Sequence, residues 1–372
     1  MIEKFYRDSW IEVNLQHIQY NIEQLRGKLE KRTGIYAVVK ANGYGHGDIE
    51  VAKTALQAGA DRLAVAILDE AIRLREAGIN VPILVMGWTR PEDVPVAIEK
   101  DITLTCYQKE WLQAVIDLKL TKPVTIHLKW DTGMGRIGIR SEEELRELIP
   151  LLETDAFYLE GAYTHFATAD EENDVYFQQQ LTKFEQLQQY FSTHWKEPFV
   201  LHTGNSAASM RYPNKMQHFV RYGISMYGLY PSPVVKQERP IRLKPALSLY
   251  SRLTHVKRVN KGEAISYGST YKANEEEWIG TVPLGYADGI RRALQGMDVL
   301  VNGERCEIVG RICMDQFMVR LTKKAQIGDK VTIIGTDQHE TIEMDDVADY
   351  LDTINYEVAC MLSPRIPRVY IR

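Results

Sequence analysis

Eight short apolar runs rich in β-branched residues punctuate the first two-thirds of the chain, over residues 35–40, 63–67, 83–86, 103–107, 124–130, 157–165, 199–202 and 219–222. Runs this short, without polar alternation, read as strands buried on both faces. Amphipathic helical patterns lie between most of them, at 48–58, 68–77, 142–152 and 175–194. Ser141 followed by Glu144 predicts a capping box for the third of these helices. Strand–helix alternation predicts a parallel sheet with helical crossovers. Eight such repeats are what a closed (β/α)8 barrel needs. The rival is an open doubly wound sheet, but no spaced Gly-x-Gly-x-x-Gly follows the first strand.

Near residue 235 the pattern changes. Residues 237–240 (Gln-Glu-Arg-Pro) read as a linker, and shorter alternating runs follow at 247–256, 278–284, 298–301, 305–308, 317–321 and 330–334. Asn302-Gly303 and Gly328-Asp329 supply turn signals between them. The expected fold class is therefore α/β, a (β/α)8 barrel over 1–235 followed by a mainly-β domain over 236–372. The early run at 10–15 precedes the first barrel strand and is expected to pair with that second domain.

With 372 residues the chain is long enough for both. Its formal net charge of −5 offers no field for nucleic acid or an anionic membrane, so a small-molecule substrate is the better expectation. Cys106, Cys306, Cys313 and Cys360 show neither C-x-x-C spacing nor nearby histidine pairs, which predicts no metal or redox centre and a reduced, cytoplasmic protein. The first residues lack a basic segment followed by an apolar run, so no signal peptide is expected, and no apolar stretch is long enough to span a bilayer.

Barrels of this type carry their chemistry at the carboxyl ends of the strands. The first strand ends in Lys40-Ala41-Asn42-Gly43-Tyr44-Gly45-His46-Gly47. A lysine there either snorkels to the rim or has a lowered pKa that lets it form an imine with an aldehyde cofactor. The glycines favour the second reading, because they admit close backbone approach to a ligand. The fifth strand leads into Lys129-Trp130-Asp131-Thr132-Gly133-Met134-Gly135-Arg136. Lys129 can pair with a carboxylate, and Arg136 can donate to an anionic oxygen. The sixth leads to His165, where a structural histidine and a catalytic one are both open readings. After the seventh and eighth come Ser206 and Gly223, at the strands whose loops often bind phosphate in such barrels.

Taken together these segments resemble the alanine racemase family. The likeness extends through His127-Leu128-Lys129, Glu160-Gly161, Thr164-His165-Phe166-Ala167, Asn205-Ser206-Ala207-Ala208, Arg221-Tyr222-Gly223-Ile224, Ser266-Tyr267-Gly268, Gly285-Tyr286-Ala287-Asp288-Gly289, Gly310-Arg311-Ile312-Cys313-Met314-Asp315 and Tyr356-Glu357, in order over nearly the whole chain. The resemblance implies a pyridoxal phosphate enzyme working as a head-to-tail homodimer, each site completed by the partner's second domain. It implies that Lys40 holds the cofactor, that Tyr44, Ser206, Gly223, Ile224 and Tyr356 bind its phosphate, and that Arg221 faces the pyridine nitrogen and Arg136 the phenolic oxygen. It places Lys129 where many members carry a carbamate that orients Arg136. His165 would link Arg221 to the partner's Tyr267, the second acid–base residue. Arg136 and the amide of the partner's Met314 would hold the substrate carboxylate, Tyr286 would narrow the entrance, and Asp315 would support it. The expected reaction is the interconversion of L- and D-alanine for cell-wall synthesis. Alternatives are racemisation of serine or another amino acid, an amino-acid decarboxylase of related fold, which Arg221 in place of a carboxylate disfavours, and a non-catalytic single-barrel pyridoxal phosphate protein, which the second domain disfavours.

Overall fold

The computed structural model describes residues 5–372. Its first strand, β1 (Ser9–Asn14), belongs to the second of the two units described below. The larger unit comprises residues 17–43 and 48–245. Its strands are β2 (Gly34–Val38), β3 (Arg62–Val65), β4 (Ile83–Val85), β5 (Thr103–Cys106), β6 (Val124–Lys129), β7 (Phe157–Tyr163), β8 (Val200–Gly204) and β9 (Phe219–Tyr222). Each pairs parallel with the next, and β9 returns to β2, with Tyr36 beside Arg221, to close the barrel that the alternation predicts.

The helices form where the 3.6-residue period predicts them. Helix Glu142–Leu152 buries Leu145, Leu148, Ile149 and Leu152, one stripe turned to the core. Its start differs in detail from a full capping box. Ser141 Oγ accepts from the Glu144 amide, but the Glu144 carboxylate turns back to the amide of Arg140 rather than that of Ser141. Residues 237–240 are not simply a linker either. Pro233–Glu238 form a helix with Ser232 as its cap, and Glu238 ion-pairs with Arg211.

The smaller unit comprises residues 1–16, 44–47 and 246–372, of which the first four residues lie outside the described structure. It contains β10 (Leu247–Arg252), β11 (His255–Val259), β12 (Ala264–Ile265), β13 (Tyr271–Lys272), β14 (Glu277–Val282), β15 (Asp298–Val301), β16 (Glu304–Val309), β17 (Phe317–Leu321), β18 (Lys330–Asp337), β19 (Glu340–Ile342) and β20 (Arg368–Ile371). The main sheet runs β11-β14-β17-β16-β15-β18-β10-β1-β20. Strand β1 is interior to it, antiparallel to β10 and parallel to β20. The short hairpin β12–β13 rests on a core of Val259, Ile265, Ala273, Ile279 and Val309. Among the described residues no helix is long and apolar enough to cross a membrane, and no group of His, Cys, Asp and Glu side chains is arranged to hold a metal ion.

Candidate active site

Lys40 follows β2 after one residue and opens a turn of left-handed backbone. Ala41, Asn42 and Gly43 have φ of 52°, 53° and 59°, and Tyr44 continues at 49°. L-residues lose roughly 1–2 kcal/mol each in this region, so the turn persists only because surrounding bonds hold it. The Gly43 amide donates to Val39 O (2.9 Å) and the Ala41 amide to Glu70 Oε1 (2.6 Å). Glu70 also receives the Ala66 amide (2.8 Å), so one carboxylate ties the Lys40 turn to the start of the helix Leu68–Glu76. Sequence reasoning credited the glycines and missed Glu70; its only sequence signal is an acidic residue in a helix's first turn.

Arg221, on β9, is buried and extensively bonded. Its Nη1 donates to His202 Nδ1 (2.9 Å) and His202 O (3.0 Å); its Nη2 donates to Thr164 O (2.6 Å), Thr203 O (3.1 Å) and His165 Nδ1 (3.2 Å). Burial lowers it to about 10, which leaves it cationic at neutral pH. An arginine can only donate, so His165 Nδ1 is an acceptor and its ring proton sits on Nε2. Burial holds the His165 ring well below its ordinary pKa, helped by the charges of Arg221, Lys129, Arg136 and Lys40. His165 is thus a neutral imidazole within the field of Lys40.

Lys129, at the end of β6, is buried and donates Nζ to Trp130 O (2.7 Å). It does not take the carboxylate partner that the bland reading of the sequence allowed. Asp131 turns instead to the amides of Gly133 (3.1 Å) and Gly135 (2.9 Å), which outweigh burial and hold its carboxyl below the usual range. Burial, then the charges of Arg221 and Arg136 against the opposing pull of Asp131, bring Lys129 down to about 7. Arg136 is exposed on the loop that Asp131 braces.

Ser206 opens the helix Ser206–Arg211, capped by Asn205. Its Oγ accepts from the amides of Gly223 (3.0 Å) and Ser225 (3.4 Å), so its own proton is left to donate elsewhere. Ile224, between those two amides, is buried. Ser225 Oγ is buried with no hydrogen-bond partner among the described residues. A Ser206 hydroxyl with a proton to give and an unsatisfied Ser225 hydroxyl, held in one loop by the amides that bond Ser206 Oγ, form a donor pair that fits a phosphate oxygen.

In the smaller unit the rings of Tyr44 and Tyr356 lie 6.3 Å apart, centroid to centroid. Tyr267 sits at the tip of the β12–β13 hairpin and is 72% exposed. Its turn is braced by Ser266, which has φ of 67° and donates Oγ to Arg311 O (2.6 Å). Tyr286 and Met314 are also exposed; the Tyr286 amide donates to Cys313 O and the Ala287 amide to Met314 O, both at 3.0 Å. Asp315 accepts from Arg365 (2.8 Å).

Known proteins match this chain in sequence and in fold. The family model described as alanine racemase, N-terminal domain, matches residues 13–231, and that of the C-terminal domain matches residues 246–370. The crystal structure of an alanine racemase from Bacillus anthracis with bound L-Ala-P superposes with a TM-score of 0.97 at 48% identity, covering 99% of this chain and 96% of that one. A histidine racemase from Leuconostoc mesenteroides subsp. sake has the same architecture at a TM-score of 0.90 and 32% identity, with complete coverage of both. Barrel and β unit, each matched to racemases, thus place the chain among amino-acid isomerases. An alanine racemase from Geobacillus stearothermophilus is 53% identical over 370 residues, 99% of this chain and 95% of that protein. The chain belongs to the alanine racemase family.

Proposed function

We propose that this chain interconverts L- and D-alanine with pyridoxal phosphate as cofactor, in the cytoplasm, as a homodimer whose product feeds cell-wall synthesis. The observation that carries the reading is Lys40 on its strained turn, its charge acting on the neutral ring of His165. Similarity at 53% to an alanine racemase, against 32% to a histidine racemase, favours alanine over a larger substrate.

Ser206, Gly223 and Ile224, with Tyr44 and Tyr356, would hold the cofactor phosphate; Arg221 would face the pyridine nitrogen and Arg136 the phenolic oxygen. When bound, the cofactor withdraws electrons from the substrate Cα. Arg221, a cation where a carboxylate would favour a proton, would leave the ring nitrogen unprotonated and so moderate that withdrawal. Racemisation then needs a proton removed from one face of Cα and another delivered to the opposite face. Lys40 Nζ serves one face. The partner subunit's Tyr267 serves the other, linked to Arg221 through His165. Arg136 and the amide of the partner subunit's Met314 would hold the substrate carboxylate, with Tyr286 at the entrance and Asp315 supporting it. In heavy water with added cofactor, the purified protein is expected to turn L-alanine into D-alanine carrying deuterium at Cα. Failure to exchange Cα hydrogen would sink the reading; exchange with serine but not alanine would move it to the serine alternative.

Lys129 offers a second test. An amine near 7 is largely neutral at physiological pH. A neutral amine adds carbon dioxide, forming an N–C bond and releasing one proton, and the resulting carbamate would accept from Arg136. In protein equilibrated with 13C-bicarbonate, a carbamate resonance is expected to grow as pH rises through about 7. Lys129→Ala should lack it and lose roughly tenfold in kcat/KM. No resonance in the native protein on the alkaline side would refute the carbamate.

A further inference from the structure

The interior of a (β/α)8 barrel is ordinarily filled by layers of branched apolar side chains. Here a polar column crosses it. Arg62, at the start of β3, donates Nη1 to Glu160 Oε1 (2.7 Å) and Tyr36 Oη (3.2 Å). Glu160 Oε2 lies 2.8 Å from His127 Nε2; His127 Nδ1 lies 2.8 Å from His202 Nε2; His202 Nδ1 receives Arg221 Nη1. Both histidines are fully buried.

The direction of every bond follows from the two ends. Arg221 can only donate, so His202 Nδ1 accepts and the His202 proton is on Nε2. That proton goes to His127 Nδ1, so the His127 proton is on Nε2 and goes to Glu160. Glu160, which also accepts from Arg62, closes the chain as a carboxylate. Both rings are neutral by this logic, and burial likewise lowers the pKa of each. The groups facing them are Arg62, Glu160, Arg221 and Lys129, with Tyr36 and Tyr163; the Tyr163 ring stacks on His202 at 4.5 Å.

A backbone irregularity builds the far end. Strands β6 and β7 pair Ile126 with Leu159 but His127 with Gly161, so Glu160 is an extra residue at a bulge. Bulges re-aim side chains near active sites. Gly161 is required beside it, since a Cβ there would lie 2.8 Å from His127 Cε1. Bulge and glycine together bring a carboxylate to His127 Nε2.

We propose that Glu160 is a positioning residue: as terminal acceptor of this column it fixes the tautomers of His127 and His202 and so holds the Arg221 guanidinium in place. The column and the carbonyls around it engage both terminal nitrogens of Arg221, and Nε–H is the donor these bonds do not use. The catalytic consequence, though not the column itself, rests on Arg221 facing the cofactor. Without Glu160 the buried His127 Nε2–H loses its acceptor, which is costly. The ring then prefers the Nδ1–H form, which donates to His202 Nε2 and forces that ring's proton to Nδ1, against Arg221 Nη1.

The test is 15N NMR of histidine-labelled protein, with and without cofactor, beside steady-state kinetics of the holoenzyme. In the native protein both rings should be neutral with the proton on Nε2, unchanged between about pH 6 and 9. Glu160→Leu should move both protons to Nδ1 and lower kcat/KM at least about tenfold. Glu160→Gln, whose carboxamide oxygen can accept the same proton, should keep the native tautomers and stay within about threefold of native activity. A charged or Nδ1-protonated ring in the native protein, or native tautomers in Glu160→Leu, overturns the proposal. Shifted tautomers with unchanged kinetics would instead remove Arg221 from the proposed chemistry. If Glu160→Leu does not fold, Arg62→Met/Glu160→Leu removes the ion pair as a unit and is read the same way.

Discussion

Lys40→Ala is expected to lower kcat for alanine racemisation by at least about a thousandfold and to end covalent attachment of pyridoxal phosphate. Two functions converge on one nitrogen in the proposed mechanism, so no neighbouring group can supply both. His165 is held neutral with its Nδ1 engaged by Arg221, and the Lys129 amine is turned to Trp130 O. The fold should survive, because the Gly43 and Ala41 amides that hold the turn are backbone groups the substitution leaves in place. Circular dichroism should therefore match the native protein while the cofactor absorption band of bound lysine disappears. Retention of more than about a tenth of native activity would show that Lys40 is not the base.

The second large effect concerns mixed dimers. Lys40→Ala and Tyr267→Phe homodimers are each expected to be inactive, yet mixing them with full subunit exchange should restore about a quarter of native activity. Random pairing makes half the dimers mixed, and half the sites in those dimers join an intact Lys40 to an intact Tyr267. The 72% exposure of Tyr267 at a hairpin tip is what a residue offered to a second copy requires. Exchange demonstrated by mass spectrometry without recovered activity would mean that both residues serve a site within one chain.

The barrel was readable because its strands are buried on both faces and stand out as unbroken apolar runs, as Ile35 to Val38 do. Much of the smaller unit was less so. Strand β11 is mostly exposed and reads His-Val-Lys-Arg-Val, and β12 and β13 have two residues each, too few to show alternation. The run expected over 247–256 proved to be two elements, with β10 ending at Arg252 and β11 starting at His255. At the candidate site, residue types could be named from sequence where they follow strand ends. What could not be seen was anything depending on backbone geometry: the left-handed conformation of Ala41 and Asn42, the reach of Glu70 to the Ala41 amide, and the bulge that turns Glu160 toward His127. His127, His202 and Glu160 lie on three different strands, and no spacing rule joins them.

The threading of β1 between β10 and β20 bears on how the molecule is made. Ile11 to Asn14 pair with residues 368–371, so this strand gains one of its two neighbours only after the chain has been made through residue 371. Contacts this distant in sequence form slowly, whereas β2 to β9 follow one another around their barrel and can close far sooner. Until those residues are made, β1 presents one unpaired edge, the kind of surface that invites association with other chains. Completion of that sheet is therefore a late checkpoint in synthesis, and loss of residues 368–371 would leave β1 paired to β10 alone.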